Sequence, residues 1–74
     1  MSFQARLLYL LAWILRVPEE RLNGSTDLYG DLDLDRTDVE LMMFKLENYY
    51  HTEFSSEQIN NVSTVQDIGR LLRT

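Results

Sequence analysis

The chain has 74 residues, of which 45% are hydrophobic, and it contains no cysteine and a single histidine. A chain of this length forms one domain, residues 1–74, with a small core and modest stability. The missing thiols exclude disulfide frameworks and iron–sulfur clusters, and with one histidine we expect no metal centre. Twelve acids against seven bases argue against nucleic acid as a partner, because phosphate binding needs a basic face.

The negative charge is concentrated between residues 27 and 40. This segment holds six acids and one base, Arg36, and therefore carries a net charge of −5, while the other sixty residues sum to zero. Such a segment can steer a basic partner toward the protein. The plainer interpretation is that these carboxylates solubilise a loop and begin a helix.

Residues 3–16 are predicted to form the first helix. Its apolar residues recur at helical spacing and make one inward stripe of Phe3, Leu7, Leu10, Leu11 and Ile14. Pro18 is predicted to end the helix. Leu8, Tyr9 and Trp13 lie off the stripe, so they are either covered by neighbouring segments or form an apolar patch for a partner.

The apolar run inside this helix does not indicate a membrane span. It is nine residues long, whereas a bilayer needs about 20. Arg6 followed by this run is faintly similar to a signal peptide, but no small-residue cleavage site follows. We therefore expect a cytoplasmic protein.

Residues 18–34 are predicted to form a long connector that its leucines pin to the core. The turn-forming run from Asn23 to Asp27 lies within it. Residues 36–50 are predicted to form the second helix, with Asp35 as its N-cap. Its inward stripe consists of Val39, Met42, Met43, Leu46 and Tyr50.

Two shorter signals complete the fold. Residues 55–59 predict a single helical turn capped by serine, and Ser63 with Gln66 predicts a capping box that opens the last helix. No segment shows the alternation of a strand flanked by hairpin turns. The sequence predicts an all-α bundle of three main helices and one short helix, with a long first loop.

The catalytic and calcium-binding motifs that this sequence partly matches are incomplete. A calcium loop could begin at Asp31, but the positions that need glycine and glutamate hold Arg36 and Met42. The run Asp33–Thr37 matches the D-x-D-x-T nucleophile motif, whose α/β sheet does not fit in 74 residues. The lone His51 is typical of a helix C-terminus. We expect a protein that is not an enzyme.

The order of these elements resembles the acyl carrier protein family over residues 3–72. The resemblance rests on Leu15-Arg16-Val17, Asp31-Leu32, Asp35, Asp38-Val39-Glu40-Leu41, Leu46-Glu47 and Thr64-Val65-Gln66. Members of that family carry 4′-phosphopantetheine on the serine of an Asp-Ser-Leu motif at the start of the second helix. The resemblance therefore implies the carrier fold, and it directs attention to the residue at the serine position.

The position that matches this serine is Arg36, which has no hydroxyl for a phosphodiester. Thr37 has one, but it matches the leucine of the motif, so we expect no bound cofactor. Arg36 is either a solvated side chain balanced by Asp35 and Asp38, or a group that grips a partner's carboxylate or a phosphate-bearing ligand. Another departure is Asp33, where the family has a glycine after Asp-Leu.

Three hypotheses for function follow. The first is a carrier-like protein of acyl, fatty-acid or secondary metabolism that acts as an accessory subunit or decoy for carrier-binding enzymes. Basic surfaces of such partners would meet Asp31, Asp33, Asp35, Arg36, Asp38, Glu40, Phe44 and Glu47. The second is a helical interaction module, in which Leu8, Tyr9 and Trp13 bury against a second copy or a partner helix. The third is a working acyl carrier with an unusual attachment residue.

Overall fold

The computed structural model describes residues 2–73. Its elements in chain order are α1 (Phe3–Leu15), a 3₁₀ helix (Glu19–Arg21), α2 (Arg36–Tyr50), α3 (Ser56–Asn60) and α4 (Val65–Leu72). The described residues contain no β-strand, and an isolated antiparallel bridge joins Asp27 to Thr64. The predicted all-α bundle is confirmed, although the sequence does not predict the 3₁₀ helix within the first connector.

Helix α1 begins and ends close to its predicted bounds. Ser2 is the N-cap, and its hydroxyl accepts a hydrogen bond of 3.1 Å from Ala5 N. The helix ends at Leu15, because Arg16 adopts a left-handed φ of 58° and donates its N–H to a carbonyl of the last turn. Pro18 follows two residues later and cannot continue a helix.

Asp35 caps α2 as predicted. Its Oδ1 accepts a hydrogen bond of 2.8 Å from Asp38 N, and Asp38 Oδ2 accepts one of 3.1 Å from Asp35 N. This reciprocal pair satisfies two N–H groups near the helix start. The helix ends at Tyr50, where His51 adopts a left-handed φ of 55°. The predicted position of the lone histidine at a helix end is confirmed.

One core lies between the helices and the connector. It consists of Leu7, Leu11, Leu22, Leu28, Val39, Met42, Met43, Leu46, Val62, Val65 and Ile68. The other members of the two predicted stripes are half-buried at its edge, namely Phe3, Leu10, Ile14 and Tyr50. Both stripes therefore face the same core, as their helical spacing predicts.

The connector between α1 and α2 is hydrogen-bonded to the start of α4. Leu28 N donates to Ser63 O at 2.8 Å, and Val65 N donates to Thr26 O at 3.1 Å. The buried Thr26 hydroxyl accepts a hydrogen bond of 2.9 Å from Asn23 N. Since Leu28 is fully buried, the prediction that leucines pin this loop is confirmed there.

Helix α3 follows its prediction, whereas the cap of α4 lies one residue later than predicted. Ser55 caps α3. At α4 the capping box joins Thr64 to Asp67, so the prediction of Ser63 with Gln66 is wrong. The N–H groups of both Ser63 and Thr64 donate to the same Asp67 oxygen at 3.0 Å. This shared acceptor sets the register of the helix start.

Candidate functional site

The predicted partner surface lies at the end of the connector and on the outer side of α2. Asp31 and Asp33 precede the N-cap Asp35, and Asp38 and Glu40 occupy the first turns of the helix. All five side chains are exposed. Five of the six acids of the predicted surface therefore lie at or just before the N-terminal end of α2, and we refer to these five residues as the acidic surface.

Three of the five carboxylates also bind backbone N–H groups. Asp31 Oδ2 accepts a hydrogen bond of 2.9 Å from within the connector, and Asp35 and Asp38 form the capping box. Among residues 2–73, Asp33 and Glu40 accept no such bond. Replacing Asp33 or Glu40 therefore tests recognition without removing a hydrogen bond to the backbone.

Arg36 is the first residue of α2 and forms an ion pair one turn along the helix. Its Nε lies 3.5 Å from Glu40 Oε2, and the two side chains are 50% and 55% exposed. One interpretation of the sequence was that Asp35 and Asp38 balance the charge of Arg36. In the structure these two carboxylates instead accept hydrogen bonds from N–H groups at the helix start. An exposed pair contributes at most about 1 kcal/mol, so this pair leaves the guanidinium available to other anions.

Two apolar side chains adjoin the acidic surface on α2. Phe44, which the sequence predicts, is 60% exposed, and Leu41, which it does not, is 55% exposed. Leu41 precedes the buried Met42, and a step of 100° per residue places it outward, so helical geometry could have identified it. Glu47 is half-buried and accepts a hydrogen bond of 2.7 Å from Phe54 N, which ties α2 to the segment before α3.

The apolar patch predicted on α1 is largely uncovered. Trp13 is 70% exposed and Tyr9 is 51% exposed, whereas Leu8 packs partly against the core. Together with Val17 and Glu19, the two aromatic rings line a shallow hollow beside the end of α1. The structure therefore retains the two aromatic residues as an exposed patch and assigns Leu8 to the edge of the core.

The folded structure shifts the pKa values of Tyr50 and Asp67 from their ordinary range. Burial raises the pKa of Tyr50, and Tyr49 adds to this effect against the opposing charge of Arg6. Partial burial acts to raise the pKa of Asp67, but hydrogen bonds from Ser63 and Thr64 outweigh it and hold the pKa below its ordinary value. Both pKa shifts therefore arise from the packing and the hydrogen bonds of the folded chain.

Within residues 2–73, no three acidic, histidine or cysteine side chains are arranged to hold a metal ion. None of the helices in this range is long and apolar enough to cross a membrane. The features that the described residues do present are an acidic helix start, exposed apolar side chains beside it, and a separate aromatic patch.

Four helices around one core, with a long hydrogen-bonded first connector and an acidic start of α2, define a small helical domain of the carrier type. No family model matches the chain. It is 36% identical over 58 residues to the acyl carrier protein of Coprothermobacter proteolyticus, and the alignment spans 78% of this chain and 71% of that protein. The chain belongs to the acyl carrier protein family, and the resemblance predicted from its sequence is confirmed.

Proposed function

We propose that this chain is a carrier-like member of its family that is not loaded with 4′-phosphopantetheine and that acts through protein contacts. What supports the proposal is Arg36 at the first position of α2, the position that the sequence resemblance matches to the attachment serine of the family. The phosphodiester to this cofactor needs a hydroxyl, whereas a guanidinium offers only N–H donors and stays protonated. The side chain present does not fit the group.

The neighbouring hydroxyl does not replace the missing one. Thr37 is exposed in the first turn of α2. Successive residues of an α-helix are about 100° apart around its axis, so this hydroxyl projects in a different direction from the Arg36 side chain. A transferase that reads the Asp-Ser-Leu motif would have to accept another residue type in another orientation.

The acidic surface supports a role in protein contacts. Carrier-binding enzymes with basic surfaces are the proposed partners, and this chain would serve them as an accessory subunit or a decoy. Opposite charges across an interface speed the encounter of two proteins more than they tighten the complex. Leu41 and Phe44 add exposed apolar area beside these charges, as specific interfaces require.

The test is the intact mass of the protein after incubation with coenzyme A and a broad-specificity phosphopantetheinyl transferase. We expect the wild-type chain to keep its mass. We expect the Arg36→Ser variant to gain one phosphopantetheine group, because the substitution supplies a hydroxyl within an otherwise intact helix start. Arg36→Ala is the matched control, since it removes the guanidinium without adding a hydroxyl, and it should stay unmodified.

Two outcomes would contradict the proposal. If the wild-type chain gains the group, it is a working carrier, and Thr37→Ala then shows whether threonine is the attachment residue. If Arg36→Ser stays unmodified while its circular dichroism matches that of the wild type, the acidic surface no longer meets a carrier-binding enzyme.

The same reaction tests the electrostatic part of the proposal. In the Arg36→Ser background, Glu40→Gln should lower the kcat/KM of the transferase several-fold at low salt. This difference should vanish near 1 M salt, where the Debye length is about 3 Å. Glu20→Gln is the control, because Glu20 is an exposed acid in the 3₁₀ helix and does not belong to the acidic surface. An equal effect of both substitutions would refute steering by the acidic surface.

A further inference from the structure

The outer side of α1 carries two aromatic rings between two arginines. At 100° per residue, Arg6, Tyr9 and Trp13 lie within one sector of about 60° on the helix surface, and Arg16 follows as the C-cap of the helix. All four are exposed. Residues 2–17 contain these two arginines and no acid, so a chain of net charge −5 presents one positively charged helix. We call these four residues the α1 face.

The composition of the α1 face is that of a protein interface. Tryptophan, tyrosine and arginine are the residues most enriched at energetically important contact positions. Trp13 is nonetheless 70% exposed, and the shallow hollow beside it is lined by Val17 and Ala12. A single exposed ring needs no explanation, but two adjacent rings with a cation at each end indicate a surface that another helix can cover.

The complementary surface within this chain is the outer side of α2. Residues 35–47 contain four acids and two bases, so their net charge of −2 is opposite to that of the α1 face. Leu41 and Phe44 lie exposed between Glu40 and Glu47. Each helix therefore has two exposed apolar side chains with charged residues before and after them. These are arginines on α1, and they are Glu40 and Glu47 on α2, where Lys45 is also exposed.

The spacings along the two helices also correspond. With a rise of 1.5 Å per residue, Tyr9 and Trp13 lie about 6 Å apart along α1, and Leu41 and Phe44 lie about 4.5 Å apart along α2. The charged residues flank these pairs within the reach of an arginine side chain. Packing the two faces would cover the rings and would bring each arginine toward an acid.

A symmetric contact between two α1 faces is disfavoured by charge. Such a contact would bring four guanidinium groups into one interface, against only the two carboxylates of Glu19, which lines the hollow beside Tyr9 and Trp13. Like charges in apposition cost free energy, and a specific interface avoids them. The observations therefore favour unlike faces in contact, which is a heterologous arrangement.

We infer that this chain self-associates by packing α1 of one copy against α2 of the next copy. The four apolar side chains expose roughly 500 Å² in total, and with the arginine stems the contact lies at the small end of specific interfaces. Association is therefore weak and grows with protein concentration. The inference does not rest on the proposed function, because self-association is measured on the chain alone, without a transferase or a cofactor.

The test uses two variants, each of which removes one face. In sedimentation equilibrium, the apparent mass of the wild-type chain should rise with concentration above its monomer mass of 8.8 kDa. Trp13→Glu and Phe44→Glu should each stay monomeric. Mixed in equal amounts, the two variants should form a one-to-one dimer, because one retains an intact α2 surface and the other an intact α1 face. No larger assembly should form, because the two faces left unoccupied in this dimer are the ones that carry the substitutions.

Other outcomes overturn the inference. A wild-type chain that stays monomeric at millimolar concentration excludes self-association. If Phe44→Glu forms dimers on its own, the contact is a symmetric one between two α1 faces. If the wild-type chain associates but the mixture of the two variants does not, the interface is a different one. Tyr49→Glu is the matched control, because Tyr49 is a 63% exposed ring on α2 outside both faces, and it should associate as the wild type does. Circular dichroism checks the fold of each variant, and Tyr9→Glu replaces Trp13→Glu if that variant unfolds.

Discussion

Three of the residues between 2 and 73 adopt the left-handed backbone region, and none of them is glycine. They are Arg16, Asp33 and His51, with φ values between 55° and 58°. Arg16 and His51 end α1 and α2, at positions where glycine is the most favoured residue. Asp33 lies in the connector, where the family pattern has glycine. The sequence departs from that pattern while the backbone conformation that favours glycine is retained.

Asp33→Gly should stabilise the protein. The left-handed region costs an ordinary residue about 1–2 kcal/mol, less for aspartate, and glycine adopts it freely. Since the Asp33 carboxylate binds no backbone N–H among the described residues, no such contact is lost. We expect the free energy of unfolding in urea to rise by about 0.5–1 kcal/mol.

Asp33→Ala separates backbone conformation from charge in this prediction. It removes the same negative charge from the acidic surface, but alanine keeps the Cβ that disfavours a positive φ. It should therefore give no gain in stability. If alanine stabilises as much as glycine, relief of charge repulsion explains the effect and the conformational argument is wrong.

Each α-helix has a side-chain N-cap, and this regularity made the elements predictable. Ser2, Asp35, Ser55 and Thr64 each accept a hydrogen bond from the first turn of the helix that follows. The sequence located two of these caps and placed the last one a residue early. Ser63 and Thr64 are both competent caps, and only tertiary contacts distinguish them. The bond from Leu28 N to Ser63 O belongs to those contacts, because it joins residues far apart in the chain.

The cap of α4 should give stability that depends on pH. Hydrogen bonds from Ser63 and Thr64 hold the pKa of Asp67 below its ordinary value of 3.8 in the folded protein. The folded state therefore favours the charged form, and the stabilisation is fully present above the pKa of the unfolded chain. It is lost as pH falls through the lower folded pKa. Asp67→Asn should cost about 1 kcal/mol at pH 7 and progressively less below pH 4, measured by urea unfolding.

A direct titration checks the physical cause. Carboxyl carbon shifts followed by NMR should place the pKa of Asp67 below its ordinary value in the wild-type chain. In Ser63→Ala, which removes the hydroxyl bond of 3.1 Å to this carboxylate, the pKa should move back toward that value. A wild-type pKa at or above the ordinary value would show that burial outweighs the hydrogen bonds.

At the scale of the whole molecule, the sequence predicted the helices better than it predicted how the long connector is organised. Helical periodicity identifies the inward residues of α1 and α2 because it repeats over three or four turns. The 3₁₀ helix at Glu19–Arg21 is too short to show a period. The bonds from the connector to α4 join residues distant in sequence, so local patterns do not report them.

The candidate site was predictable in composition but not in detail. The acidic surface is visible in the sequence as a run of charge, and the N-cap role of Asp35 was predicted. The backbone hydrogen bonds of Asp31 and Asp38 emerge only from the fold. The hydrogen bond that the half-buried Glu47 accepts comes from Phe54 N, in the segment before α3. The ion pair of Arg36 with Glu40 has the i, i+4 spacing that favours such pairs, so this contact could have been predicted.

The connector should contribute as much to stability as a helix does, because it supplies core residues. Leu28 is fully buried and its N–H bonds to the start of α4, so this loop residue joins distant parts of the chain. A domain of this size has about 4–11 kcal/mol of stability in all. Leu28→Ala leaves a cavity and should cost about 3 kcal/mol in urea unfolding.

Leu41→Ala is the matched control for this prediction, because it removes the same atoms from a side chain that is 55% exposed. It should cost less than about 1 kcal/mol, since surface substitutions away from caps and cores have small effects. Equal losses in the two variants would mean that the loop leucine is not a core residue in solution. A large loss for Leu28→Ala alone would show that the long first connector is a structural element of this carrier-type fold, although its 3₁₀ helix covers only three residues.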